Sequence, residues 1–264
     1  MRLVWTSDIH LNHANLRAWD VWMNQVKQAD ADALLITGDI SESDDLDFQL
    51  RRITESLPIK IFFVLGNHDF YGSSIASTRR NVSSIARDIP SLCYLTDTAP
   101  IELAPNRFLV GEDGWGDGVE GDFENSPVRL SDFGAIKDFC RVDPADWLRL
   151  MREQGSESAD RLRSKLATLP ESTLKVTVAT HVPPFRESCW YEGETTDDNW
   201  APFFVCAQVG DVLRQFAASH PRTQTTVMCG HTHHGGTADI SPNLTVLTAP
   251  ADYGAPRVER VFEL

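Results

Sequence analysis

The sequence has a shortage of basic residues and no long apolar run. It carries 24 Lys and Arg against 38 Asp and Glu, which gives a formal net charge of −14. Proteins that bind nucleic acid through its phosphates usually present a basic face. The excess of acidic residues therefore disfavours duplex nucleic acid as a partner. No window approaches the roughly 18–20 apolar residues that cross a bilayer, and the N-terminal stretch turns polar by Thr6. We therefore expect a cytoplasmic protein that does not act at a membrane.

Cysteine is also scarce, and its spacing excludes two classes of small protein. The five cysteines are odd in number, scattered, and never spaced as CxxC. This pattern argues against a disulfide framework and against a thiolate zinc site. We expect reduced thiols that act mostly as small apolar side chains.

The length and composition are those of one large α/β domain. The chain has 264 residues, of which 42% are hydrophobic and 23% charged, so it can bury a sizeable core. It contains no internal repeat, convincing linker or low-complexity segment. We predict a single domain over residues 1–264.

Short apolar segments alternate with helical patterns along most of the chain, as in α/β folds. Strands are predicted at 3–6, 33–37, 59–65, 174–180 and 225–230, with an antiparallel pair near 100–111 and a closing β meander over GTADIS, LTVLTA and RVERVFEL. Helices are predicted at 16–26, 46–57, 75–85, 131–138, 144–168 and 203–218, with a break at Gly155.

Polar side chains follow five of these strands at the point where each strand ends. The stretches SDIH, TGDI, GNHD, THVPPF and GHTHH stand at these ends, and Gly38, Gly66 and Gly230 permit tight turns and close backbone approach there. Ligands of open α/β sheets collect just beyond the carboxyl ends of strands. Carboxylates, an amide and imidazoles without a thiolate suit divalent ions such as Mn, Fe, Zn, Co or Ni. The sequence thus predicts a site for divalent metal ions.

The ordered set DxH, GD, GNHD, THxPP and GHTH spans residues 8 to 233 and resembles the metallophosphoesterase (calcineurin-like phosphoesterase) superfamily. The similarity is greatest to small bacterial phosphoesterases and class III cyclic-nucleotide phosphodiesterases, which share GNHD and GHxH. The resemblance implies a four-layer αββα sandwich, in which two mixed β-sheets are flanked by helices.

The same resemblance implies two divalent metal ions and a set of site residues. Asp8, His10 and His233 would hold the first ion, Asn67, His181 and His231 would hold the second, and Asp39 would bridge the two. The implied reaction is hydrolysis of a phosphomonoester or phosphodiester by in-line attack of a metal-bound hydroxide.

Two further residues of GNHD have implied catalytic roles. His68 would bind the phosphate and protonate the leaving oxygen, and Asp69 would orient an imidazole. The alternative for both is a structural role in the turn.

Other loop residues are candidates for substrate contacts. His13 follows His10 by three residues, and Trp115 and Trp190 lie on loops expected to face the metals; the alternative is a structural role for His13 and packing for the tryptophans. Residues 112–124 hold six acidic side chains and no basic one, which we interpret as a solvated loop. We expect a small anionic phosphoester as substrate.

Departures from subfamily patterns narrow the function without fixing the substrate. GDISES and LGNHD lack the two arginines of the Ser/Thr phosphoprotein phosphatases, which makes that branch improbable, and the net charge disfavours a repair nuclease. Monoesterase, diesterase and cyclic-nucleotide phosphodiesterase remain open. A catalytically silent scaffold that binds proteins is the alternative of another class, but such relatives typically lose metal ligands or the GNHD histidine, and none is lost here.

Overall fold

The computed structural model describes residues 1–264, which form thirteen strands and eight helices. The strands are β1 (Arg2–Thr6), β2 (Ala33–Thr37), β3 (Lys60–Val64), β4 (Leu92–Tyr94), β5 (Ile101–Ala104), β6 (Arg107–Gly111), β7 (Lys175–Ala179), β8 (Trp190–Tyr191), β9 (Glu194–Thr195), β10 (Gln224–Cys229), β11 (Gly236–Ser241), β12 (Leu244–Thr248) and β13 (Arg260–Glu263). The helices are α1 (Leu16–Gln28), α2 (Leu46–Ser56), α3 (Ile75–Asp88), α4 (Asp132–Ala135), α5 (Lys137–Cys140), α6 (Trp147–Leu166), α7 (Ala201–Phe204) and α8 (Ala207–Ser219). None of these helices has the length and apolar character that crossing a membrane requires.

Two mixed sheets carry most of the strands. The first has the order β13-β1-β2-β3-β4, in which only β13 is antiparallel to its neighbour. The second has the order β11-β12-β10-β7-β6-β5, with a parallel centre and an antiparallel strand at each edge. Strands β8 and β9 form a separate small hairpin. The parallel centre of each sheet therefore directs several carboxyl ends to one edge.

Three apolar clusters separate four layers. Residues of both sheets, such as Trp5 of β1 and Met228 of β10, pack in one cluster between the sheets. A second cluster joins the first sheet to α1, α2 and α3, and a third joins the second sheet to α6 and α8. Alternate residues of a strand face opposite sides, so each sheet is buried on both faces. The predicted αββα sandwich of two mixed sheets flanked by helices is confirmed.

Two of the helix predictions are wrong in detail. Helix α6 runs through Gly155 without a break, because this glycine lies where another chain segment packs against the helix. The single helix predicted at 203–218 is two helices, α7 and α8. They separate because Val205 accepts a backbone hydrogen bond from Asp117 and Cys206 donates one to Pro183.

The predicted closing meander is also wrong. Strands β11 and β12 pair as expected, but β13 leaves them and pairs antiparallel with β1, at the edge of the first sheet. Strand β1 would otherwise be an open edge, whose amide and carbonyl groups need a partner.

The acidic run at 112–124 is not wholly solvated as expected, because three of its carboxylates are buried. Glu112 pairs with Arg161, with an N···O distance of 2.8 Å, and Asp113 pairs with Arg79 at 3.0 Å. Asp117 accepts hydrogen bonds from two backbone amides. These groups hold the loop against the protein, since a buried charge requires a partner.

Candidate metal centre

Backbone hydrogen bonds hold the strand-end loops against one another. Asp8 donates its amide hydrogen to Gly38 (3.1 Å), and His10 donates to Asp39 (2.9 Å), which ties the loop after β1 to the loop after β2. In the second sheet, Gly230 donates to His181 (2.9 Å). The loops that carry the predicted ligands therefore meet at a common edge.

One group of four side chains has the geometry of a metal site. Ligand atoms of Asp8, His10, Asp39 and His233 all lie within 4.8 Å of one another. His10 Nε2 is 3.1 Å from His233 Nε2 and 3.6 Å from Asp39 Oδ2, and His233 Nε2 is 3.5 Å from Asp8 Oδ1. Burial and nearby imidazoles lower the pKa of His10 to about 2, so its ring is neutral. Neutral imidazoles and carboxylates that converge in this way fit a divalent cation.

A second group lies on the other side of Asp39. His181 Nε2 is 3.1 Å from Asn67 Oδ1 and 3.4 Å from Asp39 Oδ1. Asp39 thus turns Oδ2 toward His10 and Oδ1 toward His181. The two oxygens of its carboxylate therefore face different groups of candidate ligands.

Backbone carbonyls fix the orientation of two imidazoles. The Nδ1 of His181 donates to the Thr37 carbonyl (2.9 Å), which leaves Nε2 as the nitrogen with a lone pair. The Nε2 of His231 donates to the Phe203 carbonyl (3.2 Å), which leaves Nδ1. The two rings have centroids 5.0 Å apart. Such outer hydrogen bonds select the tautomer of a metal-binding histidine.

Glycines allow the carboxylates their close approach, as the sequence predicted. A Cβ atom at Gly66 would overlap Asp39, and one at Gly230 would overlap Asp8. No other residue fits these two positions without displacing a candidate ligand.

A buried aspartate and a tyrosine that the sequence did not indicate complete the second group. Asp132 Oδ1 accepts hydrogen bonds from Asn67 Nδ2 (2.9 Å) and from the Tyr71 hydroxyl (2.6 Å). Holding the amide nitrogen of Asn67 in this way turns its oxygen toward His181. Asp132 lies 65 positions from Asn67 on a one-turn helix, where no periodicity or motif marks it.

His68 lines the cleft over these groups. Its ring stacks on Tyr71 (centroids 4.3 Å apart) and lies 4.7 Å from the ring of His10, while its Nε2 is 3.4 Å from the Tyr253 hydroxyl. Burial and other imidazoles lower the pKa of His68 to about 4. Tyr253, which the sequence did not single out, also lies 4.4 Å from the ring of His10.

Asp69 is not placed as the resemblance implied. Its carboxylate accepts three backbone amide hydrogens, from Ile40 and Ser41 after β2 (both 2.9 Å) and from Gly66 after β3 (2.8 Å). All of its side-chain hydrogen bonds are to the backbone, and none is to an imidazole. Asp69 therefore joins two ligand-bearing loops, which favours the structural alternative.

The three candidate substrate contacts fall in different places. His13 is exposed at the rim, with its ring 5.1 Å from that of Tyr253. Trp115 is only 5% exposed and stacks on Phe139 in the apolar core beside a void of about 10 Å³, so it does not wall a substrate pocket. Trp190 is half-buried and lines a larger cleft.

The cleft over the ligand groups has a volume of about 280 Å³, and no Lys or Arg lines it. Its lining consists of Asp39, Asn67, His68, Tyr71, Leu130, Ser131, Asp132, Phe204, His231, Thr232, His233 and Tyr253. A bound anion would therefore obtain positive charge from metal ions rather than from Lys or Arg.

Comparison with known proteins agrees with this fold. The family model described as calcineurin-like phosphoesterase matches residues 1–235. The fold is similar to that of a phosphopantetheinyl hydrolase from Mycobacterium tuberculosis, with a TM-score of 0.68 and 13% identity over 97% of this chain and 94% of that one. It is also similar to a dimetal phosphatase from Danio rerio, with a TM-score of 0.58 and 16% identity over 94% and 86% of the two chains. At these identities the two structures establish the fold alone. No curated protein matches the sequence.

Proposed function

The chain belongs to the calcineurin-like phosphoesterase family, and from that premise we propose that it hydrolyses a phosphoester with the help of two divalent metal ions. The observation that carries the proposal is the convergence of Asp8, His10, Asp39 and His233, whose ligand atoms lie within 4.8 Å of one another. These residues follow three different strands, β1, β2 and β10, yet four ionisable side chains are brought together there.

The proposed ligand sets follow the two groups described above. Asp8, His10 and His233 would hold the first ion, and Asn67, His181 and His231 would hold the second. Asp39 could contribute to both sites, since its two oxygens face opposite groups. Two ions placed there would polarise the phosphoryl oxygens and make a nucleophile available near neutral pH.

The charge of the cleft favours a phosphodiester over a phosphomonoester. Two divalent ions supply four positive charges, of which Asp8 and Asp39 cancel two and a hydroxide nucleophile a third. The carboxylate of Asp132 also lines the cleft and no Lys or Arg does, so little positive charge remains to balance the second charge of a monoester. We therefore propose a small phosphodiester substrate. A cyclic nucleotide belongs to this class, whereas duplex nucleic acid does not suit the net charge of −14.

His68 is the proposed proton donor to the leaving oxygen. Its ring reaches the cleft without serving as a ligand, and only its backbone amide contacts Asp39. An alkoxide leaves far more readily when it is protonated as the bond breaks, and because the pKa of His68 is lowered to about 4, this donation should weaken as the pH rises above that value.

The intact set of candidate ligands favours an enzyme over a catalytically silent scaffold. A protein-binding role would not require the intact ligand set, nor the buried Asp132 that orients Asn67.

Metal content and a substrate panel test the proposal. We expect two ions per chain at saturating Mn by elemental analysis. Asp39→Asn should weaken both sites, because it removes the shared charge, whereas His233→Ala should mainly weaken the first. His220→Ala, at an exposed histidine that is not a proposed ligand, is the control and should change neither.

The panel compares bis(p-nitrophenyl) phosphate, p-nitrophenyl phosphate and cyclic nucleotides on the metal-loaded protein. We expect the diester to exceed the monoester in kcat/KM. A single ion or none at saturation, or no hydrolysis of any phosphoester, would overturn the proposed function.

A further inference from the structure

A second cleft opens directly beside the candidate metal centre. Its volume is about 640 Å³, within the range of small-molecule sites. Phe204 and Thr232 line both this cleft and the one over the ligand groups, and the ring of Phe204 lies 4.5 Å from that of His231. A molecule whose phosphate lies at the metal centre can therefore extend into the second cleft.

Aromatic rings form much of its lining. Trp190, Tyr191, Trp200 and Phe204 all border it, and Trp200 meets Phe204 edge-on at 5.7 Å. Tyr191 is 59% exposed and Trp200 is 46% exposed, although rings of this size usually bury more of their surface. Exposed aromatic surface that is gathered around a cleft is typical of a ligand site.

The charges of the lining are all negative. Glu192, Glu194 and Asp197 border the cleft, and no Lys or Arg does. The nearby Arg186 is bonded to Asp198 and to the Thr196 carbonyl instead. A second phosphate or a carboxylate would thus be repelled from this cleft, whereas a cation would be attracted.

The lining is held in place before any ligand binds. Glu192 and Gly193 join β8 to β9 with φ values of 49° and 88°, the positive angles of a tight type I′ hairpin turn. Thr196 donates its amide hydrogen to Cys189 (2.8 Å) at the base of the hairpin. Trp190 packs so closely on β11 that a Cβ at Gly236 would overlap its ring. A preformed site loses little binding free energy, because its side chains need not be ordered when the ligand binds.

We propose that this cleft binds the leaving-group side of the substrate and selects an ammonium cation, so that the substrate is a phosphodiester of an amino alcohol. The inference rests on the proposed function. Aromatic faces attract a cation through their quadrupole, and adjacent carboxylates add charge. In the reaction, the oxygen of water bonds to phosphorus and the P–O bond to the amino alcohol breaks. A proton passes to the leaving oxygen, and the products are the amino alcohol and a phosphomonoester.

A pair of isosteric substrates tests this selection. Methyl phosphodiesters of choline and of 3,3-dimethylbutan-1-ol have the same shape, but only the first carries a positive charge. On the metal-loaded protein we expect kcat/KM to be about tenfold higher for the choline ester, mainly through KM, since the aromatic faces and the carboxylates of the lining both favour the cation. The preference should shrink as salt is added.

Variants of the lining locate the effect. The double variant Glu192→Gln/Glu194→Gln should lose most of the preference and leave the neutral ester nearly unchanged. Trp200→Leu should reduce it in part. Glu187→Gln is the matched control, because this glutamate lies on the same loop but pairs with Arg214 outside the cleft; it should retain the preference.

The outcomes separate this inference from the proposed function. Equal kcat/KM values for the two esters overturn the selection while their hydrolysis still supports a phosphodiesterase. If neither ester reacts, the panel with bis(p-nitrophenyl) phosphate and p-nitrophenyl phosphate decides the proposed function. Binding of choline and of 3,3-dimethylbutan-1-ol, followed by tryptophan fluorescence, then decides the selection by itself: tighter binding of choline supports it, and equal binding overturns it.

Discussion

The backbone is left-handed at five of the seven proposed ligands. Their φ angles run from 38° to 70°, at Asp8, His10, Asp39, His231 and His233. A residue with a Cβ atom adopts this conformation at a cost of about 1–2 kcal/mol. Backbone bonds between the loops, such as that from His10 to Asp39, hold the strained residues in place. Strain that is concentrated at one set of side chains supports a function for that set, because packing alone does not require it.

The role of His68 can likewise be tested by a single substitution. We expect His68→Ala to keep both metal ions and to lose about 10²–10³-fold in rate on alkyl phosphodiesters. The loss on nitrophenyl esters should be clearly smaller, because nitrophenolate leaves readily without a proton. Steady-state rates over leaving groups of graded pKa, with metal content measured on each preparation, provide the readout.

Other outcomes for this variant have distinct meanings. An equal loss on all esters would assign His68 to binding the phosphate, not to proton transfer. Loss of metal from the variant would show that His68 supports a metal ligand. An unchanged rate would show that the GNHD residues other than Asn67 form only a structural turn.

At the scale of elements, Gly155 lies where α6 packs against α8 and against the loop that contains Asp117. A Cβ atom at this position of α6 would lie 2.5 Å from Asp117 Cβ and 2.8 Å from Gln208 Nε2 of α8. Asp117 also accepts the amide hydrogen of Gln208 (2.8 Å). The acidic loop thus enters the space that the glycine leaves between α6 and α8, and is anchored there.

We expect Gly155→Ala to destabilise the protein, although alanine is the better helix former by about 1 kcal/mol. Overpacking of a close contact costs about 1–3 kcal/mol and outweighs this gain. Ser156→Ala, at the exposed neighbouring position, should instead be neutral or slightly stabilising. Thermal or urea unfolding of both variants measures the difference in their free energy of unfolding. A gain in stability for Gly155→Ala would show that Asp117 and Gln208 move aside at little cost.

At the scale of the whole molecule, the two sheets bring buried carboxylates together at one edge. Burial raises the pKa of Asp8 from 3.8 to about 7, and burial with the nearby Asp8 and Asp69 raises that of Asp39 well above 3.8. Burial lowers the pKa of the facing imidazoles, to about 2 for His10 and about 3 for His231. Near neutral pH the metal-free centre therefore holds protons on carboxylates and none on these two rings.

Metal binding should consequently release protons. Because an ion requires ionised carboxylates, we expect its affinity to rise with pH through the range in which Asp8 ionises, near pH 7. The rings of His10 and His231, with pKa values of about 2 and 3, release no protons above pH 5. Calorimetry in two buffers of different ionisation enthalpy counts the protons released per ion at pH 6. Flat affinity without proton release would contradict raised carboxylate pKa values, and Asp8→Asn should reduce the release.

The sequence by itself predicted most of the local structure and all seven of the proposed ligands. Strand β2 matches its predicted bounds, and α1, α2 and α3 lie where apolar residues recur at helical spacing, because burial of one face follows directly from that spacing. The ligand candidates were visible because each follows an apolar strand, and the carboxyl ends of parallel strands meet at one edge.

Only the tertiary structure decided what depends on contacts between distant segments. Asp69 bonds to the backbone of two loops, Asp132 orients Asn67, and Trp115 joins the core although its neighbours are polar. Strand β13 pairs with β1 across almost the whole length of the chain. The second cleft likewise forms where the β8–β9 hairpin meets α7. None of these partners is encoded in local spacing, because each depends on how whole layers pack and on which polar groups burial leaves in need of a partner.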